Sequence, residues 1–521
     1  MPQKFFNIAG PCHPSEHYML DPLRSIGEEL MDLIDSKQYF VIHASRQSGK
    51  TTLLWELTDK INAEGKYYAL YCSLECLQGI TAAERSIPSI VRKINSELEN
   101  QNLPSGFAKD ANFENIDGVL HQSFVSYCRS LDKPLVIFFD EADCLSNGTL
   151  ISFLRQLRNG FVSRARIPFV SSIALVGMRN IRDYKARIRG DSETLGSSSP
   201  FNIVTESLSL KNFTKEDVIK LYAQHTQETR QVFEPQAMDY IYEQTQGHPW
   251  LVNAVARECV EKICKKDYAI PITSEMAKTA INNMILARGT HFDSLMERLK
   301  EQRVRSVIQP LIMGEELSID KLSDDYLYTR DLGLIRDSTG KTEPANPIYA
   351  EVIVRALNWS VQEAIKDGYE NYAVPRYMKN DKIDMDYLIK DFQGFWRENS
   401  EIWVERYKKN FYQYDEAAPH LVFQAFLQRV INGGGIIVRE MALGRKRADL
   451  CVVYGGQKYP IEIKILKNAQ TIPEGLVQLS AYMESCGVER GWLVVFDRNT
   501  GKSWEEKLYV RECDKITVFG C

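Results

Sequence analysis

The stretch YFVIHASRQSGKTT, residues 39–52, restricts this chain more than any other. Strand-type residues run into a short loop and then into TTLLWELTDKINAE (51–64), a helical run with an apolar stripe. A strand that feeds a helix through such a loop leaves a ring of backbone N–H groups at the helix N-terminus, and that ring is a cradle for phosphate oxygens. Ala44, Ser45, Arg46, Gln47, Ser48, Gly49, Lys50, Thr51 and Thr52 make up the loop and its exit, with Ala44 in place of the pattern's first glycine. Gly49 lets the backbone approach a ligand. Lys50 brings a fixed cation to the β- and γ-phosphates, and Thr51 offers a hydroxyl to Mg²⁺. ATP with Mg²⁺ is the expected cofactor pair.

LVIFFDEAD follows about eighty residues later, with Asp140 and Glu141 at the end of an apolar run. Two adjacent acids behind a buried strand are costly unless they meet a cation or polarise water. Asp140 is therefore expected to hold Mg²⁺ through water, and Glu141 to activate the attacking water. A solvated acidic turn is the alternative for either acid taken alone. YYALYCSL (67–74), SSIALVG (171–177) and FNIVTESLSL (201–210) add strand candidates with helical runs between them. That alternation predicts an α/β fold, a parallel sheet with helices on both faces.

At 521 residues the chain is too long for one ordinary domain, and 44% hydrophobic with 26% charged residues it should form several cores. A net charge of −5 gives no global basic field, so any nucleic-acid contact must be local. The eleven cysteines are scattered with no CxxC pair, which favours buried reduced thiols over a zinc site. No apolar run is long enough to span a bilayer, and the N-terminal stretch lacks a signal-peptide core, so a soluble, cytoplasmic protein without membrane contact is expected.

The pattern divides the chain into an ATPase core over 1–212, a helical lid over 213–292, a winged helix over 293–358, a helical connector over 359–412 and a last α/β unit over 413–521. The lid rests on KEDVIKLYAQH, on PQAMDYIYEQTQG with Gly247 as its C-cap, and on HPWLVNAVARECVEKICKK. The winged helix rests on short helices followed by DLGLIRDSTGKTEPA, which reads as a small hairpin.

RADLCVVYGGQKYPIEIKI (447–465) carries a second site. Two strand-like runs meet at Gly455-Gly456, a hairpin signal. Glu462 and Lys464 are two apart and share a face, and Asp449 opens the partner strand. Two carboxylates on adjacent strands suit one or two Mg²⁺ ions against a phosphate, with the lysine positioning water and offsetting charge. Salt-bridged strands produce the same spacing. The helix AAPHLVFQAFLQRVINGG (417–434), the strand IIVREMALG, the helix QLSAYMESCG (478–487) and the strand GWLVVFD (491–497) surround the hairpin in the order α-β-β-β-α-β. Arg445, Lys446 and Arg447 form a local basic cluster suited to DNA phosphates or to a solvated turn alike.

The first set of motifs resembles the additional-strand P-loop ATPases of the AAA/STAND group. That resemblance implies a γ-phosphate sensor at Arg179 or Asn180, and a nucleotide contact from GHP (247–249) through His248 and Pro249, where His248 either stacks on the base or caps its helix. It implies that Arg24 frames the adenine. Arg155, Arg158, Arg164 and Arg166 read either as a solvated face or as the source of a trans-acting finger. The second set resembles the PD-(D/E)XK nucleases, with Asp449 and Glu462 as metal ligands, Lys464 as the catalytic lysine, Gln478 as the helical glutamine, and Glu416, with Glu440 as a rival, as the first-helix acid. FFNIAGPCHPSEHYML, ASRQSGKTT, DLGLI, PANPIYAEVIVRAL, LQRVINGGG, RADL and IEIKI occur in the order seen in a bacterial family of AAA-like ATPases with a C-terminal PD-(D/E)XK nuclease-like domain. The architecture implies a nucleotide-controlled DNA endonuclease in phage or mobile-element defence, with DNA, a homo-oligomer and a protein trigger as partners. Relatives in that family commonly carry proline where this chain has Ser45, a change within the loop that is not expected to stop phosphate binding. The competing reading is an ATPase regulator whose nuclease fold or winged helix only binds DNA or protein.

Overall fold

Tyr39–His43 (β1), Leu135–Asp140 (β3) and Ser172–Gly177 (β4) are buried at every residue. Strands covered on both faces are continuous apolar runs and belong in the middle of a parallel sheet. In this computed structural model they join Tyr68–Ser73 (β2) and Val204–Ser209 (β5) in the order β2-β3-β4-β1-β5, every neighbour parallel. The structure describes residues 4–109, 111–145, 147–178, 203–287, 289–312, 320–338, 341–353, 377–379, 382–409, 422–424, 426–427, 435–439, 450–497, 499 and 501–521. The five expected strands thus form one sheet, with β4 between the strand that opens the phosphate loop and the strand that ends in Asp140.

Helices cover both faces of the sheet. Gly27–Asp35 (α1) and Lys50–Glu64 (α2) bury Leu30, Leu53 and Leu57 against Phe40, Ile42 and Phe138. Ala83–Asn100 (α3), Val119–Ser130 (α4) and Asn147–Ser163 (α5) bury Ile90, Ile94, Phe124 and Leu154 against Ile137 and Phe139 on the other face. Alternate residues of one strand feed opposite cores, as a pleat requires.

Lys215–Thr229 (α6), Pro235–Thr245 (α7), Pro249–Arg257 (α8) and Ser274–Ala287 (α9) form the expected helical region, with a π-helical turn at Glu258–Ile263. A capping box starts α6, where Thr214 and Asp217 each accept the other's backbone N–H. At the end of α7 the left-handed cap is Gln246, φ +48°, and Gly247 follows at φ +69°. Thr290–Lys300 (α10), Gln302–Ile312 (α11) and Asp324–Asp331 (α12) follow. Ile335–Ser338 (β6) and Lys341–Pro344 (β7) then pair as the antiparallel hairpin read from DLGLIRDSTGKTEPA. Contacts gather residues 1–290 and 319–348 into one unit and 291–318 and 349–521 into another. The stretch expected as a winged helix is therefore divided, with α12 and its hairpin in the first unit and α11 in the second.

In the second unit Met378–Lys379 (β8) and Lys382–Ile383 (β9) precede Met385–Lys409 (α13). The sheet comprises Gly435–Arg439 (β10), Leu450–Tyr454 (β11), Gln457–Ile465 (β12), Gly491–Phe496 (β13), Val510–Cys513 (β14) and Ile516–Gly520 (β15), in the order β10-β11-β12-β13-β15-β14. Thr471–Cys486 (α14) crosses from β12 to the parallel β13, and Trp504–Lys507 (α15) precedes β14. Gly455 and Gly456 sit at φ +54° and +77°, the left-handed pair that a tight β11–β12 turn demands. Leu388, Phe392 and Trp396 of α13 share one core with Leu450, Ile461 and Val494. Much of the stretch expected as a connector over 359–412 thus packs as a layer of the C-terminal sheet, because its aromatic stripe needs an apolar partner.

Candidate functional site

The phosphate loop leaves β1 and enters α2 through Gly49, the helix N-cap, at φ +94°. Open space surrounds the place of its absent Cβ, so glycine is required there by the backbone angle and not by crowding. Gln47 is also left-handed, at φ +57°, and the Ser48 hydroxyl donates to Ser45 O at 2.8 Å. Lys50 donates from Nζ to Ala44 O at 3.1 Å and to Ser45 O at 2.9 Å. Burial holds this ammonium below its usual pKa, opposed by the charges of Glu141, Asp140 and Asp143. A lone buried cation facing three acids and a ring of helix N-terminal amides is suited to polyphosphate. The Thr52 hydroxyl accepts from Cys12 N at 3.0 Å, which ties the N-terminal segment to the same helix.

Asp140 is 1% exposed and fully engaged. Its Oδ2 accepts from the Thr51 hydroxyl at 2.8 Å and the Tyr71 phenol at 3.1 Å, and its Oδ1 accepts from Glu141 N at 2.9 Å. Thr51 and Asp140 were expected to share a metal, and the fold brings them into contact. The donor set is all oxygen, which fits Mg²⁺. Glu141 is half-buried at φ +55°, and burial, then Asp143 and Asp140, raise its carboxyl above the usual range. A carboxylate poised upward in that way is a better base toward water. Asp143 binds Met178 N through Oδ2 at 3.2 Å, while its Oδ1 is buried without a hydrogen-bond partner. Arg179 and Asn180, the expected sensors, lie outside the described residues.

His248 is 2% exposed and turns its Nε2 to 3.4 Å from Ser45 Oγ. Burial pushes its pKa down to about 4, so the ring is neutral at neutral pH. It occupies the N-cap position of α8, which begins at Pro249, without a side-chain cap bond, and its ring meets the phosphate loop. A Cβ on Gly247 would lie 1.9 Å from Phe213 O, and Phe213 N donates to Gly247 O at 2.8 Å, so the glycine permits that close approach. Arg24 binds Asp217 at 3.1 Å and stacks 4.7 Å over the Phe213 ring. Arg164 is committed to Lys37 O at 2.7 Å and Ser171 O at 3.2 Å and stacks on Phe161, whereas Arg155 and Arg166 are exposed.

In the second unit, Glu462 is 2% exposed and Lys464 Nζ lies 2.7 Å from its Oε1. Both face α14, where a Cβ on Gly475 would come 3.3 Å from Lys464 Cγ. Gln478 lies three residues along that helix and is exposed. Asp449, Glu416, Glu440 and the basic cluster Arg445–Arg447 lie outside the described residues.

Sequence reasoning missed Tyr71 and Asp143. Asp143 had a signal, as a third acid three residues after Asp140. Tyr71 had none, because only the neighbouring of β2 and β3 carries its phenol to Asp140.

A family model described as an AAA-like domain matches residues 24–354, and one described as a domain of unknown function (DUF8371) matches residues 385–500. No curated protein matches the sequence. A solved structure of a Walker-type ATPase of Pyrococcus abyssi aligns with a TM-score of 0.47 and 13% identity, over 67% of this chain and 99% of its own. The RuvB Holliday junction branch migration motor of Thermotoga maritima aligns at 0.34 and 12%, over 63% and 94%. Cdc6p of Pyrobaculum aerophilum aligns at 0.36 and 13%, over 67% and 97%. Likenesses this distant say nothing about what the site does.

Proposed function

The chain belongs to the AAA-like domain family, and from that premise we propose that its first unit is an ATP-binding and ATP-hydrolysing switch controlling a Mg²⁺-dependent DNA endonuclease in its C-terminal region. The bond between Thr51 and Asp140, 2.8 Å, carries the first half. It joins the end of the phosphate loop to the end of a strand two places away in the sheet, and those two oxygens are the ones a nucleotide-bound Mg²⁺ would use. Mg²⁺ supplies charge neutralisation at the β- and γ-phosphates. The loop amides orient those phosphates, Lys50 offsets their charge, and Glu141 takes the proton of the attacking water.

The second half rests on the hairpin. Glu462 is buried on the face of β12 that also carries Lys464, behind a helix that crosses to a parallel strand. With Asp449 this would form a two-carboxylate cradle and a lysine for phosphodiester hydrolysis, and Gln478 and Glu416 would complete it. Defence against phage or mobile elements is the setting we propose, and it rests on the architecture alone. A second reading, a fold that binds DNA without cutting it, is favoured by one observation: Lys464 satisfies Glu462 directly at 2.7 Å, leaving that charge paired without a metal.

The experiment is a cleavage assay on plasmid, linear and single-stranded DNA with Mg²⁺, with and without ATP. The expected result is Mg²⁺-dependent cutting that responds to ATP and that Lys464→Ala abolishes. DNA retained but never cut leaves binding as the role of the C-terminal domain.

A further inference from the structure

We propose that Tyr71 is a positioning residue for the Mg²⁺ site, holding Asp140 through its phenol so that the carboxylate keeps one orientation toward the ion that Thr51 and Asp140 would hold. The inference rests on the reading of the first unit as a Mg·ATP site.

Asp140 is the last residue of β3, and β2 is its neighbour at the sheet edge, with Tyr71 beside Phe138 and Ser73 beside Asp140. Side chains two apart on a strand share a face, so Tyr71 lies on the Asp140 side. Its phenol spans two strand residues, ~6.6 Å at ~3.3 Å each, to reach Asp140 Oδ2 at 3.1 Å. The same oxygen accepts from Thr51 at 2.8 Å. Thr51 would be a ligand of Mg²⁺ if the ion were held here, and Tyr71 would then be the side-chain donor left on Asp140 Oδ2, with Glu141 N on Oδ1. A carboxylate that is 1% exposed cannot replace that donor with bulk water.

The backbone of Tyr71 is held with equal care. Among the described residues no strand lies beyond β2, yet Gln101, at the end of α3, accepts from Tyr71 N at 3.1 Å and donates to Tyr71 O at 2.7 Å. An amide side chain thus bonds the outer edge of β2 at the residue whose phenol reaches Asp140. The ring of Trp55 meets Tyr71 edge-on, at 6.2 Å and 88°, and is 40% exposed. Trp55 therefore covers the phenol and supplies a fluorophore next to it.

The test is calorimetric titration of the full chain with the non-hydrolysable analogue AMP-PNP, in EDTA and across a Mg²⁺ series, with Trp fluorescence recorded in parallel. Tyr71→Phe keeps the ring and removes the donor. The expected result is an unchanged metal-free affinity and a rise of about tenfold in the Mg²⁺ concentration for half effect, the scale of one charge-assisted hydrogen bond. Gln101→Leu frees the backbone of Tyr71, removes a bond to Glu97 at 3.2 Å, leaves the phenol intact, and is expected to shift the half-point in the same direction, which keeps the test open if Tyr71→Phe does not fold. Trp55→Phe keeps the phenol and should leave the half-point in place. An unchanged half-point in both Tyr71→Phe and Gln101→Leu overturns the proposal, and so does an equal shift in Trp55→Phe, which would mark a packing effect. Lys50→Ala separates the underlying reading: if that variant binds AMP-PNP as the parent does, the nucleotide site itself is wrong, whatever Tyr71 does.

Discussion

A Cβ on Gly333 would lie 2.5 Å from Ser45 Cβ, so the turn between α12 and β6 is seated directly on the phosphate loop. Gly333 is left-handed, at φ +74°, and the preceding Asp331 approaches His43, the last residue of β1, at 3.9 Å. Ser45 also faces His248 at 3.4 Å. Ser45 therefore meets both the helical region and the hairpin through one side chain. Gly333→Ala adds a methyl where neither partner can yield without backbone movement and also forces a strained φ. The expected cost is ~1–3 kcal/mol, seen in urea unfolding, with nucleotide affinity altered as well. An alanine variant with parental stability and affinity would show that Ser45 and the hairpin do not meet in solution.

Lys50 and Glu141 should separate binding from turnover. Lys50→Ala removes the one buried cation of the loop and is expected to abolish nucleotide binding. Glu141→Gln keeps the shape, and its loss of the base should lower turnover by roughly 10²-fold or more while affinity holds. Hydrolysis at the parental rate in Glu141→Gln would reassign the base, with Asp143 and its orphaned Oδ1 next in line.

His248 predicts an acid-side instability. Its pKa falls from 6.5 in the unfolded chain to about 4 in the folded one because burial disfavours the cation. Between those values the unfolded state binds more protons, so stability is full above about 6.5 and is lost as pH falls toward 4. The limiting loss is roughly 3 kcal/mol. His225, His17 and His121 are depressed in the same direction, each chiefly by burial, and steepen the decline. His248→Asn should flatten the melting temperature between pH 6.5 and 5 relative to the parent. Parallel curves would place the ring in contact with water.

Coupling between the two units is the prediction that decides the switch reading. A nucleotide acts at a distance only by favouring one arrangement of the chain over another, and ~1–3 kcal/mol of coupling changes an active fraction about 5–150-fold. Lys50→Ala should therefore change DNA cleavage, although Lys50 and Glu462 lie in different units. Lys464→Ala should stop cleavage and leave ATP turnover largely intact. Cleavage curves that ignore both ATP and Lys50→Ala would make these two independent activities.

What the sequence determined by itself was local. A strand, a loop with Gly49 and a helix had to form a phosphate cradle. Gly455-Gly456 had to close a hairpin, and Glu462 and Lys464 had to share its face, because turn chemistry and a period of two act within a few residues. That Thr51 follows the loop and Asp140 ends a buried strand was legible for the same reason. Tertiary structure alone decided what meets across the chain. It put β4 between β1 and β3, brought the edge residue Tyr71 to Asp140, seated Gly333 on Ser45, and packed α13 into the core of the C-terminal sheet. None of these has a spacing that marks it, since each follows from the order in which strands pair and from apolar stripes finding partners. That selection is made by the summed burial of whole faces, and no short run of residues encodes it.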